Sequence, residues 1–244
     1  MTKTTQISEE EAYLKDYDAT RYQRPNVSVD SVLFTCHKNT LQVLLAKRDS
    51  PVQRGHWGLP GGFIDPAADN TLEQCAIRKL KEKTNVTPPY MEQLYSVGNN
   101  KRDPRNWSIS ICYFSLIAYQ DCTPGITSVS DAAWFPVENL DKVDLAFDHY
   151  EIITTARERI RQKALYSVVP GYALPKEFSL TELQQLYEII IGKKLGKASF
   201  RRRIEQVDIL EHTGSKKLDA GRPTAIYQMK PWAKEFNFIR NIEE

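Results

Sequence analysis

Two kinds of hydrophobic pattern divide residues 27–165 into predicted strands and helices. Apolar residues concentrate in short runs bounded by turn residues, which predicts strands at 27–36, 41–46, 90–97, 108–118 and 132–137. Lys38 and Asn39 separate the first two runs and predict a hairpin. In 72–86 and 150–164 the apolar residues instead recur at helical spacing, which predicts two amphipathic helices. Strands interleaved with helices predict an α/β domain.

After residue 172 the pattern changes to two helices and a hairpin. The run 168–172 contains Pro and Gly and predicts a domain boundary. Ser179 and Glu182 have the spacing of a capping box, at the start of a helix that Gly192 ends. A second helix is predicted at about 199–210, a basic loop at 213–217 and 220–223, and a closing strand at 224–229. This order is typical of a winged helix-turn-helix. We therefore predict an N-terminal arm (1–26), an α/β domain (27–167) and a winged helix-turn-helix domain (173–244).

Composition narrows the class of protein. Charged residues at 26% and hydrophobic residues at 41% are typical of a soluble globular chain of 244 residues. No apolar run approaches the ~18 residues of a membrane helix, and no secretory signal is recognisable. The four cysteines show no paired spacing, which favours reduced thiols. We expect a cytoplasmic protein without a membrane segment, and residues 1–26 as a partly ordered polar arm.

Positive charge concentrates in the second predicted domain. Residues 193–222 hold nine basic and four acidic residues, a net of +5 in a chain whose total is +2. We predict that this region binds double-stranded DNA, although basic runs are often only solvated faces. The predicted DNA-binding residues are Lys197, Ser199, Arg201, Arg202, Arg203, Lys216, Lys217 and Arg222. One or two of the three consecutive arginines are expected to read guanine edges, while the others hold phosphates.

The segment from Gly61 to Val86 resembles the signature of Nudix hydrolases. That signature is a Gly, five residues, a Glu, seven residues, then Arg-Glu-apolar-any-Glu-Glu-any-Gly-apolar. Here Arg78, Leu80 and Glu82 are in register, but Gly62 lies sixteen positions before Arg78 where the signature has fourteen. The positions of the family's main Mg²⁺ ligands are Lys79 and Lys83, and the position of its first Glu is Asn70. Since ammonium groups repel a divalent cation, we predict a Nudix fold without a metal site and without catalytic residues.

The two halves together are similar to the NrtR family, Nudix-related transcriptional regulators of NAD metabolism. The similarity rests on segments 102–105, 147–149, 178–184, 198–203 and 221–227. It implies an α/β/α Nudix sandwich followed by a winged helix-turn-helix. It also implies a homodimeric repressor on a palindromic operator, with ADP-ribose or a related nucleotide as effector and no required cofactor.

A cleft for such an effector must meet two phosphates, two riboses and an adenine. Arginines match phosphate oxygens, aromatic rings stack on adenine, and the two lysines of the degenerate signature can face the diphosphate. The predicted effector-binding residues are Arg48, Phe63, Lys79, Glu82, Lys83, Arg102, Arg105, Tyr113 and His149. Phe63 and Tyr113 are alternatives for the adenine. Arg78 is expected to be structural, because Glu82 lies four residues further along the helix.

Two other functions remain open from the sequence. One is an active ADP-ribose pyrophosphatase with an appended nucleic-acid-binding domain, which a turnover assay with Mg²⁺ would reveal. The other is an RNA-binding protein, against which stands the lack of an aromatic platform among the basic residues.

Overall fold

The computed structural model describes residues 8–219, 222–238 and 242, and places all of their side chains except those of 217–219, 222, 234 and 235. The predicted loop residues Ala220 and Gly221 therefore lie outside the described residues, as do the side chains of Lys217 and Arg222. None of the described helices is both long enough and apolar enough to cross a bilayer.

Seven strands form the central sheet of the first domain. They are β1 (Asn26–His37), β2 (Thr40–Arg48), β3 (Trp57–Gly58), β4 (Gly61–Phe63), β5 (Glu92–Asn99), β6 (Ser108–Ile117) and β7 (Val129–Pro136). The main path runs β3-β2-β1-β6-β5, while β4 pairs with β1 and β7 pairs with β2. β1 and β6 are parallel, from Asn26 opposite Ser108 to Thr35 opposite Ile117, and the other pairs are antiparallel.

Two helices cover the two faces of this sheet. Val29 and Leu33 of β1 pack with α2 (Leu72–Thr84), whereas Val32 and Phe34 belong to the core beneath α3 (His149–Tyr166). The alternation follows from the period of two along a strand. The predicted α/β/α sandwich is thus confirmed. Asn85 ends α2 in the left-handed conformation, with φ 57°, at the position where the Nudix signature has its last Gly.

The second domain has the predicted winged helix-turn-helix order. It contains β8 (Phe178–Ser179), α4 (Leu180–Ile191), α5 (Lys197–Gln206), β9 (Leu210–Asp219) and β10 (Arg222–Met229), with sheet order β8-β10-β9. The capping box is present, since Ser179 N donates to Glu182 Oε2 at 2.7 Å and Glu182 N donates to Ser179 Oγ at 3.2 Å. Gly192 ends α4 with φ 77°.

Several predicted boundaries were wrong. α5 begins two residues earlier and ends four residues earlier than expected, because Asp208 takes φ 52° and turns the chain into β9. The stretch 213–217, predicted as a loop, therefore belongs to β9. Gly61–Phe63 is a strand rather than a loop, and a Cβ on Gly61 would collide with Asp30 and the Val29 carbonyl. Glycine is thus required by the close approach of β4 to β1.

The N-terminal arm contains a short exposed helix. This helix, α1 (Glu9–Asp16), has a capping box formed by Ser8 and Glu11 but no buried residue. Tyr13 and Tyr22 are each 63% exposed. The capping box thus stabilises the start of this helix locally.

α3 connects the two domains physically. Near its end Arg161 Nε donates to the Ile191 carbonyl at 3.1 Å, and the buried Tyr187 hydroxyl donates to the Ser167 carbonyl at 2.8 Å. One hydrophobic core runs from the sheet through α3 to Tyr187 and Phe200 of the second domain. A displacement of α3 would therefore act directly on the packing of α4.

Candidate functional site

A cleft of about 180 Å³ opens on the sheet beside the start of α3. Its lining comes from β1, β2, β4, α2, the loop between β5 and β6, and the segment before α3. Six of the nine predicted effector-binding residues line it: Arg48, Phe63, Lys83, Arg102, Arg105 and His149. The sequence motifs therefore located the cleft, although the segments that carry them are far apart in the chain.

Asp30 and Phe147 also line the cleft and were missed by the sequence analysis. Asp30 is 7% exposed on β1, and its Oδ2 accepts a hydrogen bond from Ser110 Oγ at 2.5 Å. The one carboxylate of β1, which follows Val29 within the strand, was the signal available in the sequence. Phe147 takes φ 53°, which is rare for an aromatic residue, and its N–H donates to Gln53 Oε1 at 2.7 Å. Strained backbone of this kind is often found at functional sites.

The arginines of the cleft differ in how far they are neutralised. Arg102 is 6% exposed and donates to both oxygens of Asp148, at 2.9 and 2.8 Å, and its Nη2 lies 3.7 Å from Asp30. Burial alone lowers the pKa of Arg102, but the hydrogen bonds to Asp148 raise it above its usual value. Arg102 is thus held inside the protein by carboxylates. Its contact with an effector phosphate stays a prediction, and its bonds to Asp148 position the start of α3.

Arg105 and Arg48 lie at the more open parts of the cleft. Arg105 pairs with the nearby Asp103, with Nη2 at 2.6 Å from Oδ2, and its guanidinium lies 5.0 Å from the centre of the Phe63 ring. Arg48 donates only to neutral oxygens, the Val52 carbonyl at 3.1 Å and Ser50 Oγ at 2.9 Å. Its guanidinium lies 4.8 Å from the Phe147 ring. Arg48 therefore keeps a positive charge that no ion pair to a described residue neutralises.

The two lysines of the degenerate signature face different surroundings. Lys83 lines the cleft, and no hydrogen bond or ion pair joins it to another described residue. Burial lowers the pKa of Lys83 to about 8, an effect that nearby Asp30 partly opposes. Lys79 lies instead against Gly62, where an added Cβ would come 3.3 Å from its Cδ, and its Nζ is 3.7 Å from Glu82. The two ammonium groups thus differ in their partners: Lys79 lies near Glu82, whereas Lys83 has no hydrogen-bond or ion-pair partner among the described residues.

Three predicted effector contacts do not line the cleft. Glu82 accepts a 2.7 Å hydrogen bond from Arg78, as expected for a structural pair, and also neighbours Lys79. Tyr113 is 6% exposed within the core beneath α2, so its ring cannot stack on a ligand in the cleft. Arg78 has a second partner that was missed, Asp69, which accepts from its Nε at 2.7 Å. Tyr113 is therefore removed from the candidate set, whereas an effector contact of Lys79 or Glu82, which are partly exposed, stays a prediction.

His149 is a neutral positioning group rather than a cation. It is 4% exposed, and its Nδ1 accepts a hydrogen bond from the Leu59 N–H at 2.9 Å. Burial lowers its pKa, an effect that Asp30 partly opposes. A neutral ring with Nδ1 as acceptor carries its proton on Nε2, which lies 3.9 Å from Asp30 Oδ1. His149 and Asp148 thus tie the first turn of α3 to the walls of the cleft.

The second candidate site is the exposed surface of α5. Lys197, Ser199 and Arg202 are exposed there, and Ser199 Oγ donates to the Gly196 carbonyl at 2.9 Å. Arg201 is partly buried and turns towards α4, with Nη2 3.5 Å from Thr181 Oγ1. The consecutive arginines are therefore not equivalent. Lys216 is exposed on β9, and Arg203 is partly buried.

Comparison with known proteins assigns both domains to families. Residues 24–156 match the NUDIX domain, and residues 170–229 match the NrtR DNA-binding winged helix domain. Across the whole chain, the protein is 40% identical to the ADPR responsive transcriptional repressor NtrR of Acinetobacter baylyi, and the alignment covers 97% of that relative.

Two solved structures from Shewanella oneidensis are also similar. NrtR complexed with a 27mer DNA is 52% identical, with a TM-score of 0.82 over 88% of this chain and 98% of that one. The NUDIX domain of NrtR complexed with ADP ribose is 50% identical, with a TM-score of 0.61 over 63% of this chain and 99% of that one. The cleft, the exposed recognition helix and the full-length similarity lead to one conclusion: the chain belongs to the NrtR family of Nudix-related transcriptional regulators.

Proposed function

We propose that this protein is a DNA-binding repressor of NAD-metabolism genes, and that ADP-ribose or a closely related nucleotide regulates it through the Nudix cleft. The observation that carries the proposal is the placement of α3. Its first turn is tied to the cleft through Arg102, Asp148 and His149, and its last turn is tied to the winged helix domain through Arg161 and Tyr187. One helix thus contacts both the walls of the cleft and α4 of the winged helix domain.

The chemistry of the cleft supports an anionic nucleotide as effector. Arg48 and Lys83 supply positive charge that carboxylates do not neutralise, and Arg105 stands beside them at the surface. Phe63 is 42% exposed at the mouth, so its ring is available for stacking on a base. The corresponding domain of the Shewanella relative was crystallised with ADP ribose, which favours this ligand among the possible nucleotides.

The protein acts as a sensor rather than as a hydrolase under this proposal. Metal-assisted hydrolysis of a diphosphate needs carboxylates that bind Mg²⁺ and a water that the metal activates. Lys79 and Lys83 stand at the positions of two such carboxylates in the Nudix signature, and Glu82 is paired with Arg78. No cofactor is then required, and the nucleotide is a regulatory ligand.

The proposed DNA binding rests on the exposed residues of α5 and on the two-fold symmetry of a homodimer. A recognition helix enters the major groove with its N-terminal residues against the bases, and Lys197, Ser199 and Arg202 are exposed there. A homodimer would present two such helices to the half-sites of a palindromic operator. The Nudix domain is the natural dimer scaffold, and the cytoplasm is the compartment in which such a regulator meets DNA.

A single set of titrations tests the proposal. The full-length protein is footprinted on genomic DNA, and its affinity for the recovered operator is measured with and without ADP-ribose. We expect sequence-specific binding that ADP-ribose weakens, and no release of AMP or ribose phosphate when Mg²⁺ is added. Clear metal-dependent turnover by the pure protein, or operator affinity that no adenine nucleotide changes, would contradict the proposal.

A further inference from the structure

The Nudix fold implies a divalent cation in the cleft, but the residues present do not fit one. Divalent cations such as Mg²⁺ require carboxylate and other oxygen ligands. Of the described residues, no three or more His, Cys, Asp or Glu side chains form a group that could hold a metal ion. Glu82, which the signature retains, lies within 2.7 Å of Arg78 and within 3.7 Å of Lys79. A metal at this place would meet ammonium groups instead of ligands.

The charged residues that line a metal-binding site are mainly carboxylates, whereas those that line this cleft are mainly cations. The charged side chains that line it are four cations, Arg48, Lys83, Arg102 and Arg105, and two carboxylates, Asp30 and Asp103. His149 is neutral because burial lowers its pKa. The site is thus positive before any cation is added, which is the charge that a diphosphate requires.

Lys83 is the cation best placed to meet the diphosphate. It lines the cleft from α2, at the position of a metal-binding carboxylate in the Nudix signature, and no described residue pairs with it. Arg102 and Arg105 each have a carboxylate partner within 2.8 Å, whereas Arg48 and Lys83 have none. A diphosphate diester carries one negative charge on each phosphate, so two free cations balance it.

We propose that the ammonium of Lys83 replaces the divalent cation of the Nudix site, so that the cleft binds the diphosphate of its nucleotide without metal. This inference rests on the proposed function, because it concerns how the same cleft holds its effector. A lysine ammonium is a compact point charge with three donors, and it can bridge oxygens of two phosphates much as a metal ion does. Arg48, at the end of β2, lines the same cleft and completes the charge balance.

The first test compares ADP-ribose binding by titration calorimetry in EDTA and in millimolar MgCl₂, with the full-length protein. We expect the same dissociation constant in both, within about twofold. Binding that appears only with Mg²⁺ would overturn the inference while leaving an ADP-ribose sensor intact. No binding in either buffer would instead contradict the proposed function, so the two failures are distinguishable.

The second test replaces Lys83. Lys83→Met keeps the aliphatic length but removes the charge, and we expect ADP-ribose to bind about 10- to 100-fold more weakly, the range of a charge-assisted hydrogen bond. Lys83→Arg should recover most of the affinity because it restores the charge. Lys81→Met, at an exposed position on the same helix, is the matched control and should bind as the wild type does.

The Lys83→Met protein should fold, because the change removes a partly buried charge that has no partner. Its melting temperature should equal or exceed that of the wild type. Wild-type affinity in a folded Lys83→Met protein would refute the inference. So would an equal loss in Lys79→Met, since the Lys79 ammonium lies beside Glu82 rather than in the cleft.

Discussion

Replacing Arg102 by Ala should destabilise the fold severely, although Arg102 lines the ligand cleft. Its side chain is 6% exposed, and its guanidinium makes two hydrogen bonds to Asp148 at 2.9 and 2.8 Å and lies 3.7 Å from Asp30. Removing one partner of a buried pair costs about 3–5 kcal/mol, because the remaining charge stays buried without compensation. Asp30 is 10% exposed and Asp148 22% exposed at their side chains, so water can reach them only in part.

The assay is urea denaturation followed by circular dichroism, with Arg105→Ala as the matched control. Arg105 pairs with a carboxylate in the same loop, but its side chain is 41% exposed, so its loss should cost less than about 1 kcal/mol. In a protein of this size the Arg102→Ala deficit corresponds to a fall in melting temperature of roughly 6–20 °C.

A double-mutant cycle with Asp148→Asn identifies the cause. The double variant should be clearly more stable than the sum of the single effects predicts, because it leaves no charge on Asp148 to compensate. If Arg102→Ala instead costs under about 1 kcal/mol, like Arg105→Ala, the guanidinium is not held by carboxylates. The inference that Arg102 positions the start of α3 through Asp148 would then fail.

Three further predictions concern the recognition helix, the cleft and their connection. Arg202→Ala should cost about 1–3 kcal/mol of operator affinity and relax preference at one base pair, which competition binding with operator variants measures. The guanidinium of Arg201 faces α4, so Arg201→Ala should lower protein stability more than base preference. ADP-ribose affinity should fall roughly tenfold between pH 7 and pH 9, because Lys83 loses its proton near pH 8, and Lys83→Met should show no such step. The free energy of unfolding of the wild type should increase from pH 8 towards 10.5, since the lysine of the unfolded chain binds its proton more tightly. Tyr187→Phe should cost about 1 kcal/mol of stability and reduce the effect of ADP-ribose on operator affinity, because the lost hydroxyl donates to Ser167 at the end of α3; gel-shift titrations with unchanged coupling would exclude this contact as part of the route.

Much of the fold could be predicted because it depends on local chemistry. The apolar runs of the strands, the capping box at Ser179 and the terminal Gly192 each act within a few residues, and all are present in the structure. The end of α5 could not be predicted, because no residue pattern in 199–210 indicates the left-handed conformation of Asp208. The short strand at Gly61–Phe63 depends on its partner β1, which lies more than thirty residues away in the chain.

The candidate site shows the same division. The residue types and the alignment with the Nudix signature identified most of the cations that line the cleft, because both are visible in the sequence. Which of the cations are free was not visible, since Arg102 is paired with Asp148, 46 residues further along. Lys79 and Lys83 were expected to face one ligand because they lie four residues apart on a helix. In the structure their surroundings differ, because Lys79 lies against Gly62 and near Glu82, whereas Lys83 lines the cleft without a hydrogen-bond or ion-pair partner among the described residues.

The coupling between cleft and operator is the central claim of this account, and calorimetry tests it most directly. ADP-ribose is titrated into the free protein and into the protein saturated with its operator. If a ligand weakens DNA binding, DNA must weaken ligand binding by the same factor. We predict a weaker dissociation constant in the operator complex, by a factor on the order of 5 to 150, equal to the loss of operator affinity caused by ADP-ribose. Identical dissociation constants in the two titrations would show that the cleft does not regulate DNA binding.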